Sequence, residues 1–255
     1  MGIQDTSDAE LGQARAGRWW VRGRRVGSIE RAAKFVDDIG FALLFPARRA
    51  VVPSLWDAVA GEDEEPFGGG MGVNEQRVWT WKDELPRRGL AWYGAYLGGR
   101  SSFLSPELLR ALYPAAGDPG DHVLMELSPA AHEIAEAIAA EPLSTATLRA
   151  LIGDRGRYQR AITELQRNLL VTTAGVDETG SGWPAALITL TCHQFDVGGS
   201  ADHALATRRF LDTMLATTAG ELARAYRWPV AQARARLTEE VETGHATFDG
   251  TRYLP

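Results

Sequence analysis

The chain has 255 residues, with 27 Lys and Arg against 33 Asp and Glu and a formal charge of −6 at pH 7. At 45% apolar and 24% charged residues it has a globular composition rather than a disordered one. It is long enough to bury roughly 70–75% of its unfolded surface without disulfide or metal staples. Its single cysteine, Cys192, cannot form an intramolecular bridge and suits a reducing compartment.

No apolar run reaches the roughly 18–20 residues of a membrane span, and residues 2–17 lack the apolar core of a signal peptide. These features predict a cytoplasmic protein with no membrane contact. The acidic total argues against nucleic acid until it is divided along the chain. Between 13 and 34, Arg15, Arg18, Arg22, Arg24, Arg25, Arg31 and Lys34 face Glu30 alone. The acids gather at Glu62, Asp63, Glu64 and Glu65 and again between 101 and 150, so the global charge says little about any one surface.

In chain order, residues 1–27 read as a basic arm in which Trp19-Trp20 either stacks and contacts a backbone or forms a first strand. Ser28 caps a helix over 29–39 that ends at Gly40. Residues 41–45 form a short apolar run ending at Pro46, a buried strand or core segment. A short helix over 53–60, a flexible acidic and glycine-rich loop over 61–72, and a strand at Val78-Trp79-Thr80-Trp81 follow. Helices are predicted over 90–97 and over 106–112, the latter behind Ser105 with Pro106 at its first position. Residues 114–120 read as a linker.

The stretch 128–192 has a tight order. Ser128-Pro129 starts a helix carrying Ile134 and Ile138, and Ser144 or Thr145 starts a second through Leu148 and Ile152. A third, 157–170, aligns Tyr158, Ala161, Ile162, Leu165 and Leu169 in one apolar stripe. Apolar strands 171–176 and 186–192 flank a turn-rich tip. Three helices followed by a hairpin is the order of a winged helix, whose third helix enters a major groove. Opposite Leu165 that helix carries Arg160, Thr163 and Arg167, flanked by Gln159 and Gln166, with Glu164 near the edge. Arg pairs with guanine or phosphate and Gln with adenine, so the face suits duplex DNA; a solvated surface is the alternative.

Residues 207–255 repeat the order. A helix over 207–216 precedes a capping box at Thr218–Glu221, a break at Trp228-Pro229 and a helix over 230–242. An Asp249-Gly250 turn then joins two short strands. The 230–242 helix mixes Gln232, Arg234 and Arg236 with Glu239, Glu240 and Glu242 and is the poorer groove reader. The expected class is therefore α+β, mainly helical, with tandem winged helices bearing short hairpin wings. The segments are 1–27, a mixed helical segment 28–120 with an aromatic cluster, a first module 121–200 and a second 201–255.

Catalytic chemistry is sparsely signalled. No phosphate-binding glycine loop opens a helix, no zinc spacing appears around Cys192-His193, and no nucleophile elbow occurs, so neither cofactor nor metal is expected. Trp79, Trp81, Trp92 and Tyr93, with Lys82, Asp83 and Glu84 interleaved, either line a pocket for a planar group or pack a core. In the first case Asp83 or Glu84 is the candidate general base.

Two stretches, from Pro142-Leu143-Ser144-Thr145 to Leu165-Gln166 and from Thr218 through Trp228 to Gly244, resemble the C-terminal parts of AlkZ/YcaQ-like proteins. The 78–103 stretch looks like the AlkZ-related branch of that group. The resemblance implies tandem winged helices, duplex DNA as partner and a DNA-repair setting that includes glycosylases acting on bulky alkylated bases. Those glycosylases carry Gln-x-Gln or Gln-x-Asp shortly after the first helix. Here the corresponding run, Gly40-Phe41-Ala42-Leu43-Leu44-Phe45-Pro46, holds no polar side chain, and Gln194-Phe195-Asp196 has the spelling in another place. The expected role is DNA binding through Arg160, Thr163 and Arg167, with Gln159 and Gln166 beside them and Arg18, Arg22, Arg24 and Arg25 on phosphates. A divergent glycosylase and a small-molecule or interaction protein built on the same scaffold are the alternatives.

Overall fold

The computed structural model describes residues 8–47, 51–61, 64, 66–68, 70–177 and 184–255. Most of the acidic 62–65 run and the tip of the 177–184 turn lie outside these.

Within the expected basic arm, residues 8–18 form a helix. α1 (Asp8–Arg18) lies against α10 (His203–Met214). Arg15 Nε and Nη2 donate to the carbonyls of Met214 and Ala216, and the Trp19 indole N–H to that of Thr213. Trp20 is not in a strand: it sits at φ 59, buried, its ring edge-on to Phe35. The arginines thus cap carbonyls at the end of a neighbouring helix, a favourable place for cations.

α2 (Ile29–Ile39) begins at Ser28, whose hydroxyl accepts from Arg31 N, and buries Ala32, Phe35, Val36 and Ile39 on one face. β1 (Phe41–Leu43) follows, then α3 (Leu55–Ala60) behind Ser54. The strand expected at Val78–Trp81 is instead the middle of α4 (Val73–Arg87). Val78, Trp81 and Leu85 are buried while Trp79 and Thr80 are exposed, a spacing of three and four rather than two. The Glu75 carboxylate accepts the Phe67 and Gly72 N–H groups and closes the N-terminus of the helix. The helix expected over 90–97 is a strand, β2 (Trp92–Ala95), and a tight Leu97–Gly99 turn leads into β3 (Ser101–Leu104).

These strands form an antiparallel sheet of order β1-β3-β2 that divides two cores. Phe41, Leu43, Trp92 and Leu104 point into the larger core, and Ala42, Leu44 and Phe103 into the smaller one around Phe35, Trp56 and Trp81. A strand covered on both faces has no polar side, which is why the 41–45 run is continuously apolar and 90–97 shows no alternation.

α5 (Pro106–Leu112) starts at Ser105 as expected. The 114–120 stretch folds around buried Asp121, whose carboxylate accepts from the N–H groups of Ala116, Gly117 and Asp118 and from the Tyr113 hydroxyl. Then come α6 (Pro129–Ala137), β4 (Leu143–Ser144), α7 (Thr145–Ile152), α8 (Arg155–Arg167), β5 (Val171–Asp177), β6 (Ala185–Leu190) and the single turn α9 (Thr191–Gln194). The sheet order is β4-β6-β5, all antiparallel.

The last segment has a matching order. α10 is followed by Thr217, which exchanges backbone hydrogen bonds with Tyr253. α11 (Ala219–Tyr226), with its Thr218/Glu221 capping box, and α12 (Val230–Glu242) follow, then the hairpin β7 (Thr247–Phe248) and β8 (Tyr253–Leu254). The chain is thus mixed α/β and mainly helical, with small antiparallel sheets. The larger core draws on Phe41, Ile134, Leu165 and Leu237 alike.

Candidate nucleic-acid interface

α8 is set by its ends. Asp154 accepts from Arg157 N at 2.6 Å to start it, and Tyr158, Ala161, Ile162 and Leu165 anchor it in the core. Its outward face is divided. Gln166 is half-buried: its amide oxygen accepts from Ala95 N of β2 at 3.2 Å, and Gly94, lacking a Cβ, lets its Cγ approach the strand. Gln166 is therefore occupied by the fold. The Thr163 hydroxyl donates to the Gln159 carbonyl one turn back, and the Gln159 amide reaches that hydroxyl at 3.4 Å. Glu164, the one acid on this face, is turned to α6, where it accepts from Ser128 N and Oγ at 2.9 and 2.6 Å. Arg160 and Arg167 are exposed.

Three arginines from other segments join them. Leu97–Gly99 is held by Ser102, whose hydroxyl accepts from Leu97 N and donates to Gly94 O. The turn packs between the end of α8 and α11. Gly99 sits at φ 75, and a Cβ there would lie 2.9 Å from Arg167 Nη2; Gly98 faces the Arg224 carbonyl. Arg100 and Arg224 are exposed beside the turn. Arg227, at the C-cap of α11 with φ 59, lines one groove with Arg160 and Arg167. Burial lowers the Arg227 pKa and the neighbouring Arg167 charge lowers it further.

Most arginines elsewhere have acids: Arg18 and Arg24 with Asp38, Arg88 with Glu30, Arg110 with Asp196, Arg209 with Glu107, Arg236 with Glu239 and Arg252 with Asp8. Arg100, Arg160, Arg167, Arg224 and Arg227 have none among the described residues. Like charges without counter-ions repel, so a face of five is a ready seat for a polyanion. Sequence reading found Arg160 and Arg167 by helical projection. It missed Arg100, after the Leu97–Gly99 turn, and Arg224 and Arg227, in and at the end of α11, because both segments lie far from α8 in sequence and only the fold brings them to it.

The N-terminal arginines are placed differently. Arg18 donates to the carbonyls of Asp212 and Asp38 and pairs with the Asp38 carboxylate. Arg24 lies over the Trp20 ring, its Cζ 4.9 Å from the centroid. Arg22 and Arg25 are exposed.

The aromatic residues do not share one pocket. Trp92 is fully buried in the larger core, its indole N–H donating to Thr191 Oγ1, and Trp81 packs in the smaller one. Trp79 lies exposed with Lys82 Nζ 5.0 Å from its ring. Tyr93 stacks obliquely on Phe103, and burial pushes its hydroxyl up to about 12, with the Asp83 charge adding. Asp83 is buried and accepts from Lys82 Nζ at 2.6 Å; burial raises its pKa against the pull of Lys82. Glu84 is bound bidentately by Arg87, which lowers its pKa. Both carboxylates are committed to neighbours within α4. In the 194–196 stretch, Asp196 is exposed and paired with Arg110. Among the described residues no cluster of His, Cys, Asp and Glu suits a metal ion, and no helix is long and apolar enough to cross a membrane.

The model of a family described as AlkZ related matches residues 26–237. No curated protein and no solved structure matches the chain significantly.

Proposed function

The chain belongs to the AlkZ-related family, and on that footing we propose that it binds duplex DNA in a repair-like setting through the face of unpaired arginines. The observation that carries this reading is the set of Arg100, Arg160, Arg167, Arg224 and Arg227 around Leu97–Gly99, uncompensated in a chain that is acidic overall. We read the two C-terminal segments as winged helices. In each, the strand before the second helix pairs with the last strand of the hairpin, through β4 and β6 in one and Thr217 and Tyr253 in the other. In the first module Arg160 and Thr163 face the groove from α8, while Arg167 and Arg227 hold phosphates at its edge. Gln159 and Thr163 are bonded to each other and position α8 more than they read bases; Gln166 supports the helix from below. Arg25 extends the backbone contacts; Arg18 and Arg24 contribute through the fold.

α12 is the weaker partner. Gln232 meets His203, Arg236 pairs with Glu239, and Glu240 is buried between Arg208 and His245. A glycosylase reading gains no support, because Phe41–Leu43 is apolar and buried, and Asp83 and Glu84 are already paired. The test is duplex binding by fluorescence anisotropy at low salt. Arg167→Ala with Arg227→Ala should weaken binding by about tenfold or more, whereas Arg110→Ala, which removes a remote paired arginine, should not. Equal affinity of the double variant and the unaltered chain would overturn the assignment.

A further inference from the structure

Beside the arginine face lies a cleft of about 460 Å³ whose walls include Leu43, Phe210 and Met214, with Arg100 and Arg224 at its rim. That volume falls within the roughly 300–1,000 Å³ of small-ligand pockets. Its chemistry is unusually one-sided. Leu43 comes from the strand buried on both faces, and Phe210 and Met214 from the inner side of α10, so the depth of the cleft is hydrocarbon. Among the described residues the only acid on its lining is Glu221, and that carboxylate accepts from Thr218 N at 2.8 Å and from the Thr217 and Thr218 hydroxyls. Its negative charge is held by the start of α11, a position that favours it. The two guanidiniums have no such commitment among the described residues.

We propose that this cleft binds a small organic anion with a hydrocarbon body and a carboxylate head, of the medium-chain fatty acid class. The body would fill the space over Leu43, Phe210 and Met214, and the head would take charge-assisted hydrogen bonds from Arg100 and Arg224. A nucleobase fits less well. Among the described residues the lining offers no amide or hydroxyl side chain to read a base edge, and the Phe210 ring is already stacked on Phe41 and edge-on to Tyr226. The cleft takes two arginines of the DNA face, Arg100 and Arg224, but requires neither Arg160 nor Arg167.

The probe is decanoate, kept below its micelle concentration, titrated into the full chain without DNA. Calorimetry should show saturable binding, and NMR should show the Met214 methyl shifting with the same saturation. Arg100→Gln with Arg224→Gln, both exposed and therefore tolerated by the fold, should weaken binding about tenfold or more. Arg160→Gln should leave it unchanged. Decanol should bind more weakly than decanoate. Absence of saturable binding, equal binding of decanol, competition by thymidine monophosphate at equal affinity, or an unaffected double-arginine variant would each overturn the proposal. Failure of DNA binding with decanoate binding intact would overturn only the reading of the previous subsection.

Discussion

Asp83 is the residue at which burial and charge compete most openly. Its carboxylate sits 7% exposed on α4 with Lys82 Nζ as the single hydrogen-bond donor, and its other oxygen is buried without a partner among the described residues. Burial outweighs the ion pair, so the folded pKa lies above the ordinary 3.8. A carboxyl raised in the folded state favours folding when protonated. Its contribution is therefore complete below the unfolded pKa and is lost as pH rises through the folded value. Thermal melts of Asp83→Asn beside the unaltered chain should show the variant gaining relative stability as pH rises from acid to neutral. A gap that stays constant with pH would show that Asp83 titrates normally. Trp92 and Trp79 show the same dependence on position from the apolar side. One is fully buried with its indole N–H bonded to Thr191, the other lies over Lys82 at the surface. The two side chains lie apart, in different environments.

At the scale of elements, the Leu97–Gly99 turn joins the sheet to the arginine face. Gly99 takes a positive φ and leaves room for Arg167 Nη2, where any Cβ would intrude. Gly99→Ala should cost about 1–2 kcal/mol from the left-handed backbone, read as a lowered melting temperature. It should also reduce duplex affinity by displacing Arg167. Loss of stability with unchanged affinity would separate the turn from the site. Element ends were the most legible part of the sequence, because capping is local: Ser28, Ser105, Ser128 and Thr218 all accept from the backbone N–H groups three residues on. Elements shaped by tertiary burial were not. Trp79 and Trp81 alternate in sequence yet project from one helix, one outward and one inward. Residues 90–97 read as helical because Trp92 and Tyr93 face two different cores and both stay covered. The arginine face was half legible. Arg160 and Arg167 share one helix, whereas Arg100, Arg224 and Arg227 are ordinary surface residues until the Leu97–Gly99 turn gathers them.

For the whole molecule, the charge of −6 and the basic face are compatible because the acids are placed elsewhere. Asp38, Glu107, Asp196 and Glu239 neutralise arginines away from the face, and Glu164 and Glu221, which line its grooves, bond to helix N-termini instead. An acidic remainder limits non-specific attraction, so binding should be confined to one side and steeply sensitive to ionic strength. The most direct measurement is the dependence of duplex affinity on salt, plotted as log K against log salt concentration, for the unaltered chain and for variants of the five arginines. Each phosphate contact contributes a slope of about −0.9. Replacing Arg160, Arg167 or Arg227 should flatten the slope by about 1 each, while replacing Arg110 or Arg236 should leave it unchanged. Equal slopes across the face variants, or no salt-dependent binding by the unaltered chain, would contradict binding through this face.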